Sequence, residues 1–333
     1  MSRAPTGRRH EVCAGQPAGS PRDDTVFRVA LLKHLSSGVG HVLAAHHVVG
    51  RGSACQLRLA QPQVSGLHAE VTWDGDRWMV QDLGSRNGTF VDGTRLAAGE
   101  RKPIGRGSLL AFGDVEDRYT LAEIEPPRLM AMGNDGPAVL ADSNLLCLPS
   151  GENPEVTVFE DATGQWVMES GDATKVISDR EIVVVGDVSW TIYLPTVSDQ
   201  TRDAESRPLP LDAISLDFFV SRDGEYVAVR LSHEHGKVEI EPRAHAQLLL
   251  ALARIRLADR EREHLKDSEH GWIHREDLVR DLGIDLQLLN LWVYRARQQL
   301  VKAGIRDAGN IVERRSGTLQ LRIGVSNLAV HGA

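Results

Sequence analysis

The chain has 333 residues, enough for two or three domains of the usual ~100–150 residues. Hydrophobic residues make up 41% and charged residues 25%, which excludes wholesale disorder and fibrous repeats. A net charge of −8 excludes a uniformly basic nucleic-acid coat but leaves room for a local basic patch.

Residues 1–23 are rich in Gly, Pro, Ser, Ala and Arg without a period, and are expected to form a disordered tail. They lack the apolar core of a secretory signal, and no run of ~18 apolar residues predicts a membrane span. The cysteines, Cys13, Cys55 and Cys147, are odd in number and widely spaced. That argues against a disulfide framework and a Cys-rich zinc site, and for a reducing cytoplasm.

From Thr25 to about Leu194, short apolar runs such as AEVTW, RWMVQDL and SLLAFGD are cut by Gly, Asp and Asn. Breaks at intervals of about ten residues predict antiparallel strands in a sandwich or barrel. Residues 24–124 read as one all-β domain and 125–196 as a second β-rich region. The second carries an echo of the first: EVTVFEDATGQWVMES from Glu155 resembles AEVTWDGDRWMVQD from Ala69, and IVVVGDVSWTIYL from Ile182 resembles LLAFGDVEDRYTL from Leu109. A degenerate half-domain would produce this echo, and so would any two meanders sharing Trp and Gly-Asp.

Residues 197–210 are polar, hold two prolines and read as a linker. Residues 211–329 read as an α+β unit. LDFFVSRDGEYVAVRLSHEHGKVEIEP alternates as a small meander, with His233-Glu234-His235 as a polar turn lacking a third metal ligand. From Arg243 the period becomes helical. Three helices are expected: AHAQLLLALARIRLADREREH; REDLVRDLGI, ending near Gly283; and IDLQLLNLWVYRARQQLVKAGI, between an Asp285 N-cap and a Gly304 stop. NIVERRSGTLQLRIGV closes the unit as a hairpin with Ser-Gly at its tip.

Four features fall at turns of the first β domain: Gly50-Arg51, Ser65-Gly66-Leu67-His68, Gly84-Ser85-Arg86-Asn87-Gly88-Thr89 and Asp92-Gly93. Together and in this order they resemble forkhead-associated (FHA) domains, a family of phosphothreonine-binding β-sandwiches. The resemblance spans roughly residues 25–122. It implies that Arg51 supplies charge and Ser65 a hydroxyl donor. Gly66 offers its backbone, Arg86 flanks the phosphate and the threonine methyl, and Asn87 bonds the peptide backbone. It implies support roles for Gly50, Gly88 and His68, the last bracing the loop from inside. The family often has Arg, Lys or Asn where Gly66 stands, so one side-chain donor is missing and compensation falls to Arg86 or Arg58. The chemistry is sound without the family: phosphothreonine carries about −1.5 to −2 charge and three acceptor oxygens, which a fixed guanidinium and neutral donors match.

The helices and terminal hairpin resemble the winged-helix DNA-binding domain of bacterial response-regulator transcription factors, over about residues 214–325. Val293 to Leu300 carries the match, with Ala296, Gln298 and Gln299 departing from it. Turned at about 100° per residue, Leu289, Val293, Ala296 and Leu300 make a core side, while Gln287, Asn290, Tyr294, Arg297 and Gln298 gather opposite. Those are side-chain types that read base edges. Arg314 and Arg315 at the hairpin would reach the DNA backbone. Residues 286–325 hold seven basic residues against Asp307 and Glu313, a net +5 that leaves −13 on the rest.

No phosphate-cradling glycine loop, dinucleotide fingerprint, serine elbow or His-Glu-x-x-His appears, so neither enzymatic activity, cofactor nor metal is expected. The sequence therefore predicts a phosphothreonine-reading signalling protein that couples Ser/Thr kinase signals to DNA through a winged helix. The alternative is a phospho-dependent adaptor whose winged helix binds protein. Expected partners are a phosphothreonine-containing protein or its kinase, double-stranded DNA, and a second copy in a homodimer, with no membrane.

Overall fold

The computed structural model describes residues 29–134, 136–151, 153–171, 173–195, 209–262, 264–315 and 317–332. The expected tail with Cys13, nearly all of the expected linker, and Ser316 of the expected hairpin tip lie outside the described residues.

The front module is a two-sheet sandwich. Its strands are β1 Leu31–His34, β2 Gly40–Val42, β3 His46–Gly50, β4 Leu57–Arg58, β5 Ala69–Trp73 and β6 Trp78–Asp82, followed by β7 Thr89–Val91, β8 Thr94–Arg95, β9 Arg101–Ile104, β10 Leu109–Phe112 and β11 Arg118–Glu123. One sheet runs β2-β1-β11-β10-β7-β8 and the other β4-β3-β5-β6-β9. Alternating residues of both, among them Leu32, Val49, Val71, Trp78, Val80, Leu110 and Leu121, fill a single core. The Trp78 indole donates to the carbonyls of Ile124 and Glu125, both at 3.2 Å, and so ties the exit of the module to its core.

The middle module has β12 Met130–Gly133, β13 Val139–Leu140, β14 Leu146–Leu148, β15 Val156–Glu160, β16 Trp166–Ser170, β17 Ala173–Val176, β18 Ile182–Val185 and β19 Val188–Tyr193. It too forms two sheets, β13-β12-β19-β18 and β14-β15-β16-β17. Leu146, Leu148, Val156, Val158 and Ile192 make its core. A small cluster of Ala44, Met130 and Tyr193 joins it to the front module.

The C-terminal unit opens with β20 Ser215–Val220, β21 Val227–His233 and β22 Gly236–Ile240. Then come α1 Ala246–Arg260, β23 Ile273–His274, α2 Arg275–Leu282 and α3 Leu286–Lys302, and finally β24 Val312–Arg315, β25 Gln320–Ile323 and β26 Asn327–Gly332. The α3 N-cap is Asp285, whose carboxylate accepts the amide of Leu288 at 2.7 Å. The chain leaves α2 through Gly283 at φ +65°. Leu289, Val293, Ala296 and Leu300 are all buried, as the helical phase requires.

Two features depart from the expectations. The last strand, β26, runs parallel to β20 and completes a sheet β22-β21-β20-β26, so ordered structure continues past residue 329. And β15 (VTVFE) is buried on both faces: Val156 and Val158 in the sandwich, Thr157 and Phe159 against the C-terminal unit. With Leu145, Cys147 and Val167, Phe159 belongs to one continuous core with Leu289, Val293 and Ile311.

Candidate functional site

At one end of the front sandwich, three loops are stitched together by hydrogen bonds. The Arg51 amide donates to the Ser65 carbonyl at 2.9 Å, and the Gly52 amide to the Gly66 carbonyl at 2.9 Å. Ser65 Oγ accepts the Arg86 amide at 3.0 Å, and Asn87 Nδ2 donates to the Gln63 carbonyl at 2.7 Å. The expected pocket residues Arg51, Ser65, Gly66, Arg86 and Asn87 are thus brought to one place. Arg51 is exposed, with Nε tied to the Val64 carbonyl at 3.3 Å, and its terminal nitrogens meet no protein acceptor among the described residues. Among the described residues no carboxylate pairs with Arg51, Arg58 or Arg86, so the cluster presents positive charge to solvent.

The expected support residues act below this surface. A Cβ on Gly50 would lie 2.4 Å from the Gly66 carbonyl oxygen and 2.9 Å from Cys55 Sγ, so only glycine lets the two loops close. His68 is fully buried; its Nδ1 accepts the Ser65 amide at 3.0 Å, which leaves Nε2–H to donate to the Gly88 carbonyl at 3.1 Å. Those two bonds require the neutral ring. Burial lowers the His68 pKa against the opposing pull of the Gly88 carbonyl and of Asp82.

Sequence reasoning missed Asp82. Buried at the end of β6, its carboxylate accepts from the amides of Gly84, Ser85 and Thr89 and from the Ser85 and Thr89 hydroxyls, at 2.6–3.1 Å. Burial alone would raise its pKa; the Ser85 and Thr89 hydroxyls and the backbone amides outweigh that and hold it low. Asp two residues before a glycine is an Asx-turn signal, and Asp82-Leu83-Gly84 carried it. Cys55 was also missed: its thiol donates to the Gly66 carbonyl at 3.2 Å.

The expected DNA-contacting residues are placed differently. Arg297 is 1% exposed and forms a bidentate pair with Glu169 of β16, at 2.8 and 3.1 Å. Arg314 Nε reaches the same carboxylate at 3.2 Å, and its Nη2 donates to Asn290 Oδ1 at 2.7 Å. Tyr294 Oη donates to the Gly151 carbonyl at 2.6 Å, and Gln298 Nε2 lies 3.6 Å from Cys147 Sγ. Arg315 pairs with Glu269 at 2.9 Å, and Gln287 alone of the seven is exposed with no partner among the described residues. The α3 face expected to look outward therefore looks onto the middle module. An amphipathic pattern marks a non-core face but does not say whether water or another module covers it. Arg295 and Lys302, on the flank of α3, stay exposed and line a cleft of about 670 Å³ with Trp292 and His245.

Comparison with known proteins bears on the front module. A family model described as FHA domain matches residues 47–113. The FHA domain-containing protein FhaB of Mycobacterium tuberculosis is 38% identical over 58 residues, which are 17% of this chain and 37% of that one. FhaA of the same organism is 35% identical over 69 residues, 19% of this chain and 13% of its own. The chain thus spans well under half the length of these relatives. A solved structure of Mycobacterium tuberculosis EmbR in complex with a low-affinity phosphopeptide matches at 28% identity and a TM-score of 0.26, covering 28% of this chain and 24% of that one. Among the described residues, no helix is long and apolar enough to cross a membrane. Residues 47–113 of this chain are an FHA domain.

Proposed function

We propose that this protein reads phosphothreonine and acts by binding, not by catalysis. The observation that carries the reading is the convergence of Arg51, Ser65 and Arg86 on one unpaired basic surface, held by Asp82 and His68 beneath it. A phosphate monoester supplies the charge and acceptors this surface lacks. The partner is a phosphothreonine-containing protein, the Ser/Thr kinase that made it, or another copy of this chain. A cytoplasmic setting is supported by Cys55 and Cys147, both free thiols.

We read the C-terminal unit as a winged helix, on the order α1, α2, α3 and the β24–β25 hairpin. Its output is protein docking: Arg297, Arg314, Tyr294, Gln298 and Asn290 are occupied within the chain. The second reading, a transcriptional regulator that contacts DNA after α3 is released, is favoured by the net +5 of residues 286–325. A peptide-library pulldown with and without phosphate tests the main reading. Enrichment only of phosphothreonine peptides supports it, and equal capture of both libraries contradicts it.

A further inference from the structure

The middle module repeats the strand plan of the FHA domain. Sheet β13-β12-β19-β18 matches β2-β1-β11-β10, and β14-β15-β16-β17 matches β3-β5-β6-β9, with chain order preserved throughout. What has no counterpart is β4 and the β7–β8 hairpin. The two loops that carry the pocket are gone with them. Residues 51–68 shrink to 149–155, which hold no basic residue, and residues 83–100 shrink to 171–172.

The hairpin registers align the changes residue by residue. In the FHA domain Trp73 pairs with Trp78; in the middle module Glu160 pairs with Trp166. Asp82, the anchor of the pocket loop, therefore corresponds to Ser170. The half-buried outer positions Glu70, Thr72, Met79 and Gln81 correspond to Thr157, Phe159, Val167 and Glu169, all buried. A half-exposed sheet face has become a buried one, with a single acid.

That face meets α3. Phe159 lies under the Arg297 guanidinium, 4.4 Å from ring centroid to Cζ. It also approaches Gly309 so closely that a Cβ there would stand 2.5 Å from the ring. Cys147 and Val167 extend the apolar seal, and Asn310 Nδ2 donates to the Glu160 carbonyl at 3.0 Å. At the centre, Glu169 receives guanidinium groups from both α3 and the hairpin. A carboxylate in bidentate contact with arginine offers the geometry a phosphate would.

We propose that the middle module is a second sandwich of the FHA plan that has given up its phosphopeptide pocket and uses the outer face of β14–β15–β16 as a docking surface for α3, withholding the base-reading side chains from duplex DNA. The inference rests on the second reading above, a winged helix that contacts DNA once α3 is released, and is independent of the Arg51 pocket.

The test uses the full chain, as wild type, Glu169→Arg and Glu169→Gln. Release of α3 is read by iodoacetamide labelling of Cys147, which lies in the contact and whose thiol burial pushes up to about 11. Cys55, buried in the FHA domain, is the internal control for global unfolding. DNA binding is read by anisotropy of a labelled random-sequence duplex at low salt. Wild type is expected to label slowly at Cys147 and to leave the duplex unbound. Glu169→Arg should speed Cys147 labelling at least about tenfold with Cys55 unchanged, and gain at least about tenfold in duplex affinity, with steep salt dependence. Glu169→Gln should move both readouts the same way by less, and it decides the matter if Glu169→Arg also exposes Cys55. Equal duplex binding by wild type and the opened variant overturns the proposal. So does an exposed Cys147 with no gain in duplex binding, or a Cys147 that stays protected in both variants. Binding of a phosphothreonine peptide in parallel keeps the two readings apart, because failure there concerns the pocket alone.

Discussion

The backbone amide of Arg51 donates to the carbonyl of Ser65 at 2.9 Å, joining the end of one strand to the loop that precedes another. This single bond sets the two backbones side by side without using either side chain. The terminal nitrogens of Arg51 and the hydroxyl hydrogen of Ser65 stay available to a ligand. Arg51 Nε is held by the Val64 carbonyl and Ser65 Oγ accepts the Arg86 amide, so the fold has already lost the entropy of bringing them together.

Gly66 is the departure from the family pattern that the structure makes testable. A Cβ there meets nothing within 4 Å and the backbone needs no left-handed angle, so a larger residue fits. Gly66→Arg should restore a charged donor and tighten phosphothreonine-peptide binding by roughly fivefold, the worth of one exposed charge-assisted bond of about 1 kcal/mol. Isothermal titration checks this; unchanged affinity would mean that residue 66 does not face the phosphate.

Removing Asp82 should loosen the whole loop. Five donors lose their acceptor, and Asp82→Ala is expected to destabilise the FHA domain by roughly 2–4 kcal/mol. A melt that stays within 0.5 kcal/mol of wild type, on the ordinary scale of surface substitutions, would contradict the anchoring role.

Acid should weaken the same region in two stages. The His68 pKa is lowered in the fold, so below the ordinary histidine value near 6.5 the unfolded chain binds a proton that the native ring refuses. Stability present above that pH declines as pH falls. Asp82 is also held low, so its contribution is present above the ordinary carboxylate value near 3.9 and is lost as pH drops through its native value. Thermal melts from pH 8 to pH 3 should show both losses, and His68→Gln should shrink the first, the rest coming from His47, whose pKa burial lowers to about 3. A melting temperature that holds steady from pH 7 to pH 5 in wild type speaks against the neutral, bracing His68.

At the other interface, Arg297→Ala should cost about 3 kcal/mol. It leaves Glu169 buried with Arg314 as its remaining cation. Burial already opposes the Glu169 charge; Arg297 and Arg314 outweigh it. Chemical denaturation followed at the tryptophans measures the change, and a loss below 0.5 kcal/mol would mark the pair as dispensable.

Much of the FHA domain was legible because its signals are local. Gly50-Arg51, Ser65-x-x-His68 and the 84–89 loop are short patterns whose chemistry is stated by their residue types. The α3 core side followed from the helical phase, and Asp285 from capping chemistry. What stayed hidden depended on tertiary partners. Nothing in VTVFE says that Thr157 and Phe159 would be buried beneath a helix. Arg297 looks like a solvated or DNA-facing residue until Glu169, 128 positions away, is placed beside it. The strand β26 is short and carries Asn327, His331 and Gly332, and its parallel partner β20 lies far away in the sequence, with Ser215 opposite Asn327.

The most direct measurement is a titration of a phosphothreonine peptide, chosen from the library, into wild type and Arg51→Ala, alongside the phosphoserine and unphosphorylated forms. Wild type should prefer phosphothreonine over phosphoserine and ignore the bare threonine, because the threonine methyl restricts the side-chain rotamer and fills apolar space. Arg51→Ala should keep its circular dichroism and lose roughly 10–100-fold in affinity, the worth of a charge-assisted contact of about 1.5–3 kcal/mol. Equal affinity of wild type for phosphorylated and unphosphorylated peptide, or of Arg51→Ala and wild type for the phosphopeptide, would contradict the account.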